Sequence, residues 1–491
     1  MSELILEKNE GLPNNWKITK MHEISELIRG VTYKKTDSST TPNSNFIAIL
    51  RGNNIQSKLI FEELVHVPKK YVNEEQFLKK NDVVITMSSG SKHLVGKSAR
   101  VLNDIGVSFG AFCACIRPSK VINGKFFAYF FQSDLYKKSI QSKSLGININ
   151  NLRREHIENL EIPIPPLNEQ KRIVSKIEEF FSLLDSYENE LRIAQIKIST
   201  LINSVFQTGL TGYLTSSFRN TNSLTDDFSY LNNFSNPQEK HIKEIEPDEI
   251  EQLPKIPSNW SWIRLGKICL IKDVDHKMPE AVKDGIPFVS PKDFQDDGTI
   301  DFENTKKISK SDFIKNSKKT SPRVGDILFS RYGTLGKAIL VPDKEFGLSY
   351  SIAVIRPFFE EINLIWLHFL LQSPFVLHQA ISGEQSSTMA DLGLITIRNF
   401  LIPLPHYREQ KIIASILDDY ITNLYNQLKQ IQLNLKYAKH IKISIFKQTF
   451  EGKLVPQDPN DEPAEILLQK IRKEKEQLEQ KIKPRRKKNV K

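Results

Sequence analysis

Hydrophobic residues occur along this chain in two kinds of pattern, short β-branched runs and longer helical stripes, and both kinds appear twice. Runs such as 46–50 (FIAIL), 83–87 (VVITM) and 112–116 (FCACI) are separated by Gly, Asn and Asp, which predicts short strands. The second set of such runs comprises 287–290, 326–330, 337–341 and 351–357. The pattern therefore predicts two strand-rich regions of similar build.

One amphipathic helix is predicted behind each set of strands. The apolar spacing indicates helices over Lys125–Ser142 and Leu364–Ile381, and Asn123 and Asn363 stand where N-cap residues belong. A Pro-rich IPxP segment follows each helix. Because proline lacks an N–H and restricts the residue before it, this segment predicts a stiff extended connector.

A long helix is predicted after each IPxP segment, beginning near residues 168 and 408. Its apolar positions are spaced by four and three residues, alternately in the first copy and slightly less regularly in the second, which is the period of a coiled coil. The first seam comprises Ile173, Ile177, Phe180, Leu184, Tyr187, Leu191, Ala194, Ile198, Leu201 and Val205. The second comprises Ile413, Leu417, Tyr420, Leu424, Leu428, Ile431, Leu435, Ala438, Ile441 and Ile445. We expect the two helices to pair antiparallel and to separate the strand-rich domains.

The two halves are copies of one unit. Residues 162–171 (IPIPPLNEQK) and 402–411 (IPLPHYREQK) are identical at six of ten positions. Other matching segments occur in the same order in both halves, among them 81–86 (NDVVIT) with 325–330 (GDILFS). A repeat this long is too large for a solenoid or propeller, so it indicates two similar domains with pseudo-two-fold symmetry.

These patterns predict an α+β fold in which two strand-rich domains are separated by a pair of long antiparallel coiled-coil helices. The predicted boundaries are a first strand-rich domain at 1–167, a spacer helix at 168–215, a linker at 216–250, a second domain at 251–406, a second spacer helix at 407–450, and a C-terminal turn, charged helix and basic tail at 451–491.

Composition and charge narrow the class of protein. Hydrophobic content of 39% and charged content of 26% are ordinary for a globular protein. Of the net charge of +11, residues 469–491 carry +8, from eleven Lys or Arg and three Glu, so only the tail is strongly basic. That tail is typical of a solvated end or of a non-specific phosphate contact. The three cysteines lack metal-ligand spacing and indicate buried thiols, and without a signal peptide or membrane span we expect a cytoplasmic location.

Catalytic motifs are absent from the sequence. Residues 91–98 (SKHLVGKS) come close to a phosphate-binding loop, but Ser91 stands where the motif needs Gly. A β-hairpin turned by its glycines is the better interpretation. We therefore weigh three hypotheses: a non-catalytic reader of DNA sequence, an enzyme acting alone, and a coiled-coil scaffold without nucleic acid.

The loops beside the predicted strands carry side chains suited to DNA. Arg, Asn and Ser match the edges of bases, and Lys and Arg reach phosphates. The candidates are Arg51, Asn53, Asn54, Ser88, Ser89, Lys92, His93 and Lys97 in the first repeat, and Lys292, Ser330, Arg331, Tyr332, Thr334 and Lys337 in the second. The loops differ between repeats while the frame matches, which suits a target with two unlike halves.

Arg331 is placed by the sequence at the tip of the GDILFSRYG block. There it could pair with guanine in the major groove, contact a phosphate, or pair with a nearby Asp. Each of these roles predicts a different effect of mutation.

Together these motifs resemble the specificity subunit of a type I DNA restriction–modification system. The resemblance rests on the doubled IPLPxxxEQxxI motif followed by a long helix, the GDILFSRYGTLGKAILV block, the helix ends FQTGLTGYL and FKQTFEGKLV, and the segment LVPQDPNDEPAEILLQKI. The first repeat reads NDVVITMSSG in place of GDILFSRxG and lacks the Arg.

The resemblance implies that each strand-rich domain is a target recognition domain for one half of a split, asymmetric site in double-stranded DNA. It implies that the long helices bind two modification subunits, which use S-adenosylmethionine to methylate adenine. A restriction subunit that uses ATP and Mg would join them. The chain itself would hold no cofactor, catalyse nothing and contact no membrane. The seam residues implied in partner binding and the coiled coil are Ile173, Ile177, Phe180, Leu184, Leu191, Ile413, Leu417, Tyr420, Leu424 and Ile431.

Overall fold

A computed structural model describes residues 11–91, 94–143, 151–222, 228–232, 234–274, 276, 278–295, 298–383 and 391–486. The chain divides into two compact units, which we call unit 1 (Met1–Glu190 and Asn434–Lys491) and unit 2 (Leu191–Leu433).

The first half of the chain alternates short strands with short helices and ends in one long helix. Its elements are β1 (Lys17–Lys20), α1 (Met21–Ile24), β2 (Ser25–Arg29), β3 (Phe46–Leu50), β4 (Val65–Pro68), β5 (Val83–Thr86), β6 (Ser98–Arg100), β7 (Ser108–Phe109), β8 (Cys113–Pro118), α2 (Gly124–Phe130), α3 (Asp134–Lys143), α4 (Arg154–Glu158), β9 (Glu161–Ile164) and α5 (Leu167–Leu210).

The second half repeats this order after three short helices. Its elements are α6 (Ser216–Thr221), α7 (Ser229–Asn232), α8 (Pro247–Glu251), β10 (Ser261–Arg264), α9 (Leu265–Ile268), β11 (Cys269–Lys272), β12 (Ile286–Val289), β13 (Lys307–Ile308), α10 (Lys310–Ser317), β14 (Ile327–Ser330), β15 (Ala338–Leu340), β16 (Gly347–Leu348), β17 (Ile352–Pro357), α11 (Leu364–Gln372), α12 (Pro374–Ser382), α13 (Leu394–Arg398), β18 (Leu401–Leu404), α14 (Tyr407–Phe450) and α15 (Ala464–Arg486).

The sheets of the two units have the same topology. Unit 1 has the strand orders β2-β8-β5-β6, β4-β3-β7 and β1-β9, and unit 2 has β11-β17-β14-β15, β13-β12-β16 and β10-β18 in the same relation. The register matches as well, since Val83 lies opposite Ile116 and Ile327 lies opposite Ile355. The predicted α+β fold with two strand-rich domains is therefore confirmed, and so is the repeat.

The IPxP segments are strands rather than unpaired connectors. In β9, Pro163 lies opposite Ile18 of β1, and in β18, Pro403 lies opposite Trp262 of β10. A proline is tolerated because each pair is a two-stranded edge, where one missing N–H interrupts little.

Each helix predicted as continuous, Lys125–Ser142 and Leu364–Ile381, is broken in two by a serine. Ser373 ends α11, and its Oγ accepts a hydrogen bond from the N–H of Val376 at the start of α12. Ser133 does the same for the N–H of Tyr136 in α3. Serine at an N-cap competes with the helix interior for the backbone, and Pro374 further removes an N–H.

The predicted linker at 216–250 is not a free connection. It contains α6, α7 and α8, and its later part packs on the strands of unit 2. Gln238 donates from Nε2 to the carbonyl of Cys269 and accepts at Oε1 from the N–H of Ile271. Asn399 donates to the carbonyl of His241. The polar composition of this segment reflects these backbone contacts.

The short helices α2 in unit 1 and α11 in unit 2 connect the strands to the long helices through aromatic contacts. In unit 1, the rings of Phe126 and Phe130 lie 5.5 and 5.6 Å from that of Phe450 in α14. In unit 2, Phe369 of α11 lies 6.5 Å from Phe206 of α5. Each such buried side chain stabilises the unit by about 1.5–3 kcal/mol.

The long helices have 44 residues each, or about 66 Å at ~1.5 Å per residue. In unit 1 the start of α5 packs against the end of α14, where the rings of Phe181 and Phe446 are 5.3 Å apart. In unit 2 the end of α5 shares a core with the start of α14, which joins Phe206 and Leu417. The two helices therefore run antiparallel in each unit, as predicted.

The apolar seam differs from the prediction at several positions. Tyr420 is 57% exposed, and its neighbour Ile421 is buried in its place. Tyr187, Leu201 and Ile441 are also exposed, at 43%, 48% and 48%. These helices pack on a strand-rich domain as well as on each other, and a straight helix drifts from a strict seven-residue repeat, so different residues turn inward.

Among the described residues, no single helix combines the length and hydropathy of a membrane span. The helices α11 and α12 reach that length and hydropathy only when they are taken together, and they are bent by 56° where they meet. This match rests on length and composition alone. Trp366, Leu367 and Val376 of this pair lie in the core of unit 2.

Candidate nucleic-acid interface

Two predicted loops of unit 1 meet at one corner of the sheets. Gly52, in the loop after β3, lies directly over Thr86 at the end of β5. Lys97, on the other arm of the β5–β6 hairpin, donates from Nζ to Oε1 of Gln56 at 3.2 Å. The hairpin turns through Gly96, whose φ of +82° favours glycine. The structure therefore brings the loop after β3 next to the β5–β6 hairpin, where the candidate Lys97 contacts a residue 41 positions away in the sequence.

Within the 51–54 loop the candidates have different roles. Arg51 and Asn53 are exposed, and Arg51 donates to the carbonyl of Glu63 at 3.2 Å. Asn54 is only 2% exposed; its side chain accepts from the N–H of Arg51 and donates to the carbonyl of Glu62. Asn54 is therefore internal and holds the loop in shape, contrary to the predicted role in DNA contact.

The hairpin tip of unit 1 includes a residue that the sequence reasoning missed. Ser88 and Ser89 are half-buried there, with Ser88 donating its N–H to the carbonyl of Phe112 at 3.1 Å. Phe112 itself is 71% exposed. An exposed phenylalanine between two strands was visible in the sequence only as part of an apolar run. Lys92 and His93 lie outside the described residues.

Unit 2 repeats this corner with different residues. Lys292 and Thr334 are exposed. Lys337 is half-buried and donates from Nζ to the carbonyl of Phe294 at 3.5 Å, which joins the hairpin to the loop after β12. Ser330 is fully buried, and its Oγ accepts from the N–H of Lys337 at 2.8 Å, so this serine closes the hairpin from inside.

Arg331 does not lie at an exposed tip, as the sequence suggested. It is 5% exposed, and it donates from Nε to the carbonyl of Leu392 at 2.9 Å and from Nη1 to the carbonyl of Tyr350 at 3.0 Å. Nη1 also lies 3.3 Å from Oδ2 of Asp273. A buried guanidinium needs several acceptors and a carboxylate, and all of them come from the protein here. Of the roles considered for Arg331, pairing with a nearby Asp fits this geometry.

Asp273 is the centre of a polar cluster at this corner. It accepts from Lys319 and His276 and pairs with Arg331. Burial acts to raise the pKa of Asp273, but the hydrogen bonds from Lys319 and His276 and the charge of Arg331 outweigh it, so the pKa is lowered. The carboxylate therefore stays ionised down to acidic pH.

Aromatic rings surround this cluster. His276 stacks on Tyr350 with centroids 4.8 Å apart and planes 12° apart, and Tyr332 meets Tyr350 edge-on at 5.4 Å. The guanidinium of Arg331 lies 4.8 Å from the ring of Tyr332. Tyr332 was a candidate; His276 and Tyr350 were missed because neither is near it in sequence. These rings form a preorganised surface of the kind that contacts bases and sugars.

A second pair of equivalent sites fixes each long helix to its domain. In unit 1, Trp16 donates from Nε1 to both carboxylate oxygens of Glu169 at 3.0 Å, and Gln457 donates to the same group at 2.7 Å. Burial raises the pKa of Glu169, and the hydrogen bonds from Gln457 and Trp16 oppose it.

In unit 2 the corresponding carboxylate is Glu409. It accepts from Trp260 at 2.8 Å and pairs with Arg219. The Glu and Gln residues of the doubled EQ motif therefore stabilise the fold. Gln170 and Gln410 contribute by donating to the carbonyls of Pro165 and Pro405.

Residues of the predicted helix seam are partly internal and partly accessible. The buried members are Ile173, Ile177, Ile413, Leu417, Leu424 and Ile431, and the half-buried ones are Phe180, Leu184 and Leu191. Exposed apolar residues lie beside them, among them Leu183, Ile196 and Tyr437 at 63%, 67% and 53%. Among the described residues, no group of His, Cys, Asp and Glu is arranged to hold a metal ion.

The fold and these corners define a protein with two equivalent α+β domains, each fixed to the end of a long helix and each carrying its own loop surface. A family model for the type I restriction modification DNA specificity domain matches residues 13–197 and 257–435, once on each repeat. Because the match covers more than half of the sequence, the chain belongs to this family.

Named relatives agree with the family. The StySPI specificity subunit of a type I restriction enzyme from Salmonella potsdam is 40% identical over 215 residues, which is 43% of this chain and 46% of that protein. The EcoKI specificity subunit from Escherichia coli (strain K12) is 40% identical over 223 residues, 45% of this chain and 48% of that protein. The chain spans about half the length of these relatives in each match.

Solved structures share the fold. A chain from a structure of the type I restriction–modification system that addresses complex assembly and conformational transition has a TM-score of 0.63 at 18% identity, covering 90% of this chain and 99% of that one. The HsdS subunit from Thermoanaerobacter tengcongensis has a TM-score of 0.51 at 19% identity, covering 91% and 99%.

Proposed function

We propose that the chain is the non-catalytic DNA specificity subunit of a type I restriction–modification complex. Each unit reads one half of an asymmetric, two-part site in double-stranded DNA. The observation that carries this proposal is that both units place loops at the same corner of the same sheet arrangement, while the residues on those loops differ. A shared frame with unlike loops is suited to two unlike half-sites.

We propose that the long helices bind two modification subunits, which methylate adenine, and that restriction subunits join the assembly. Support comes from the helix surfaces. Leu183 and Tyr437 on the unit 1 parts of the helices, and Ile196 on the unit 2 part of α5, are more than half exposed. Exposed apolar side chains of this kind are typical of protein interfaces. S-adenosylmethionine, ATP and Mg belong to those partner subunits, and we place the complex in the cytoplasm.

Exchange of one recognition domain tests this proposal. Residues 234–404 are replaced by the equivalent residues of a related subunit; the segment from 234 is included because Gln238 supports β11. N6-methyladenine is then mapped across the genome of the source strain, of a strain without this gene, and of the exchanged strain. We expect one half of the methylated motif to change and the other half to stay.

The matched control exchanges residues 1–165, which should change the opposite half of the motif. A change of both halves by either exchange contradicts the two-reader model. Methylation that is unaltered when the gene is deleted contradicts the proposed function as a whole.

A further inference from the structure

Unit 2 contains a basic groove away from the tip of its hairpin. The groove lies between the outer face of β11 and β17 and the segment that follows α10, and it encloses about 370 Å³. Five cationic side chains line it: Lys272, Lys318, Lys319, Arg323 and Arg356. Such a concentration of positive charge raises the local electrostatic potential and favours an anionic ligand.

Internal carboxylates neutralise only two of these cations. Arg356 donates from Nε to Asp326 at 2.6 Å, and Lys319 pairs with Asp273. Within the part of the chain that the structure describes, Lys272, Lys318 and Arg323 form no ion pair. The groove therefore presents three positive charges without partners in the protein.

The groove also has an unused hydrogen-bonding group. The hydroxyl oxygen of Ser317 is buried and has no hydrogen-bond partner. A buried hydroxyl left unpaired is costly, and this one belongs to a residue that lines the groove.

The end of α10 accounts for part of this charge. Lys318 caps that helix, and cations are favoured near the negative end of a helix dipole. This explanation does not extend to Lys272, which belongs to β11, or to Arg323, which is six residues beyond the helix.

The charge of the groove is only partly shared with unit 1. The register of β2 against β8 places Ile28 where unit 2 has Lys272, and Ile28 is 5% exposed. Arg117 and Lys79 of unit 1 stand at the positions of Arg356 and Arg323, because Arg117 pairs with Asp82 and Lys79 donates its N–H to Asp82 in the same way. The frame alone does not require Lys272, because unit 1 has the same frame with Ile28 in that place.

The groove is continuous with the polar cluster of the candidate interface. Lys319 lines the groove and bonds to Asp273, which also pairs with Arg331 beside the Tyr332 ring. In protein–DNA interfaces, contacts to phosphates commonly flank contacts to bases and set the register of the protein on the duplex.

Resting on the proposed function, we propose that this groove holds backbone phosphates of duplex DNA next to the half-site that unit 2 reads. Lys318, Arg323 and Lys272 supply the charge. The site contributes affinity and positioning without preference for sequence, and unit 1 lacks the cation that Lys272 adds.

The test compares two charge-neutralised variants of the full-length chain, each reconstituted with the proposed modification subunit. The groove variant is Lys318→Gln/Arg323→Gln. The matched control is Lys255→Gln/Lys283→Gln, which removes the same charge from exposed lysines outside the groove. Fluorescence anisotropy is measured at several salt concentrations on a duplex with the mapped methylation motif and on one with that motif scrambled.

We expect the groove variant to lose affinity by the same factor on both duplexes. The slope of log K against log salt should become shallower by about two units, since each lost phosphate contact changes it by about one. The control should match the wild type. Unchanged affinity and slope in the groove variant, or an equal loss in the control, overturns the proposal while the proposed function stands.

If the wild type binds neither duplex, the proposed function fails, and the groove proposal fails with it. If thermal unfolding shows that the groove variant is destabilised, Lys272→Gln serves as the second variant, because it lies on a strand and not at the end of α10. A shallower salt slope with Lys272→Gln supports the proposal, and a wild-type slope overturns it.

Discussion

At the scale of single residues, burial decides the role of the polar candidates. Arg51 and Asn54 are three positions apart, yet the first is exposed and the second holds the loop from inside. Arg331 is likewise internal. Its counterpart in the first repeat is Met87, because Met87 donates its N–H to the carbonyl of Phe112 as Arg331 donates its N–H to the carbonyl of Ser351. The first repeat thus fills this position with an apolar side chain.

Arg331→Met is expected to lower the free energy of unfolding by about 2–3 kcal/mol, because it removes one partner of a buried ion pair and two hydrogen bonds to carbonyls. Asp273 retains Lys319 and His276, which limits the loss. Thermal and urea unfolding measure the change, with the exposed Thr334→Ala as control. A stable Arg331→Met variant that relaxes the base preference at one position of the DNA site contradicts the internal role and restores the base-reading one.

At the scale of elements, each long helix does two tasks along its length. One face is buried against the short helices and strands of a strand-rich domain, and the remaining surface leaves apolar side chains exposed. Ile177 is fully buried in the core of unit 1, whereas Leu183, less than two turns further on, is 63% exposed. A change at Ile177 therefore tests the packing of unit 1, and a change at Leu183 tests the exposed surface of the helix.

Ile177→Asp should therefore destabilise unit 1 by about 3–5 kcal/mol, since it places an unpaired charge in an apolar core. Leu183→Asp is the matched control and should unfold like the wild type. Under the proposed function, Leu183→Asp should instead weaken assembly with the modification subunit, measured by size exclusion. Normal unfolding of Ile177→Asp would show that the seam is not packed as described.

At the scale of the whole molecule, the two units are formed from the chain in different ways. The main core of unit 2 is formed by residues between 198 and 428, a single continuous stretch. The core of unit 1 combines the N-terminal part with Ile445, Phe450, Leu467 and Ile471 from the other end of the sequence. Helix α15 is fixed there by Ser119, which donates to Glu474 at 2.9 Å.

Fragments of the chain test this arrangement. Residues 191–433 should fold alone with a cooperative thermal transition, because their core is complete. Residues 1–190 should not, because part of the apolar surface that stabilises the unit comes from residues 434–491. Adding the 434–491 segment in trans should restore the transition, as followed by circular dichroism. Cooperative unfolding of 1–190 alone would contradict the composite core.

The sequence by itself determined the repeat, the strands, the start of each long helix and the closing of the hairpins. These features depend on local patterns, such as β-branched runs, the extended proline-rich segment and a glycine with positive φ, whose physical causes lie within a few residues. The duplication strengthened every such prediction, since each pattern occurs twice.

Only the tertiary structure decided where the polar side chains lie and which surfaces remain exposed. Arg331 is internal because Asp273 and Leu392, about 60 residues away on either side, supply its acceptors. The basic groove exists because β11, β17 and the segment after α10 meet in space. Burial and charge pairing are properties of such distant neighbours, so no local pattern contains them.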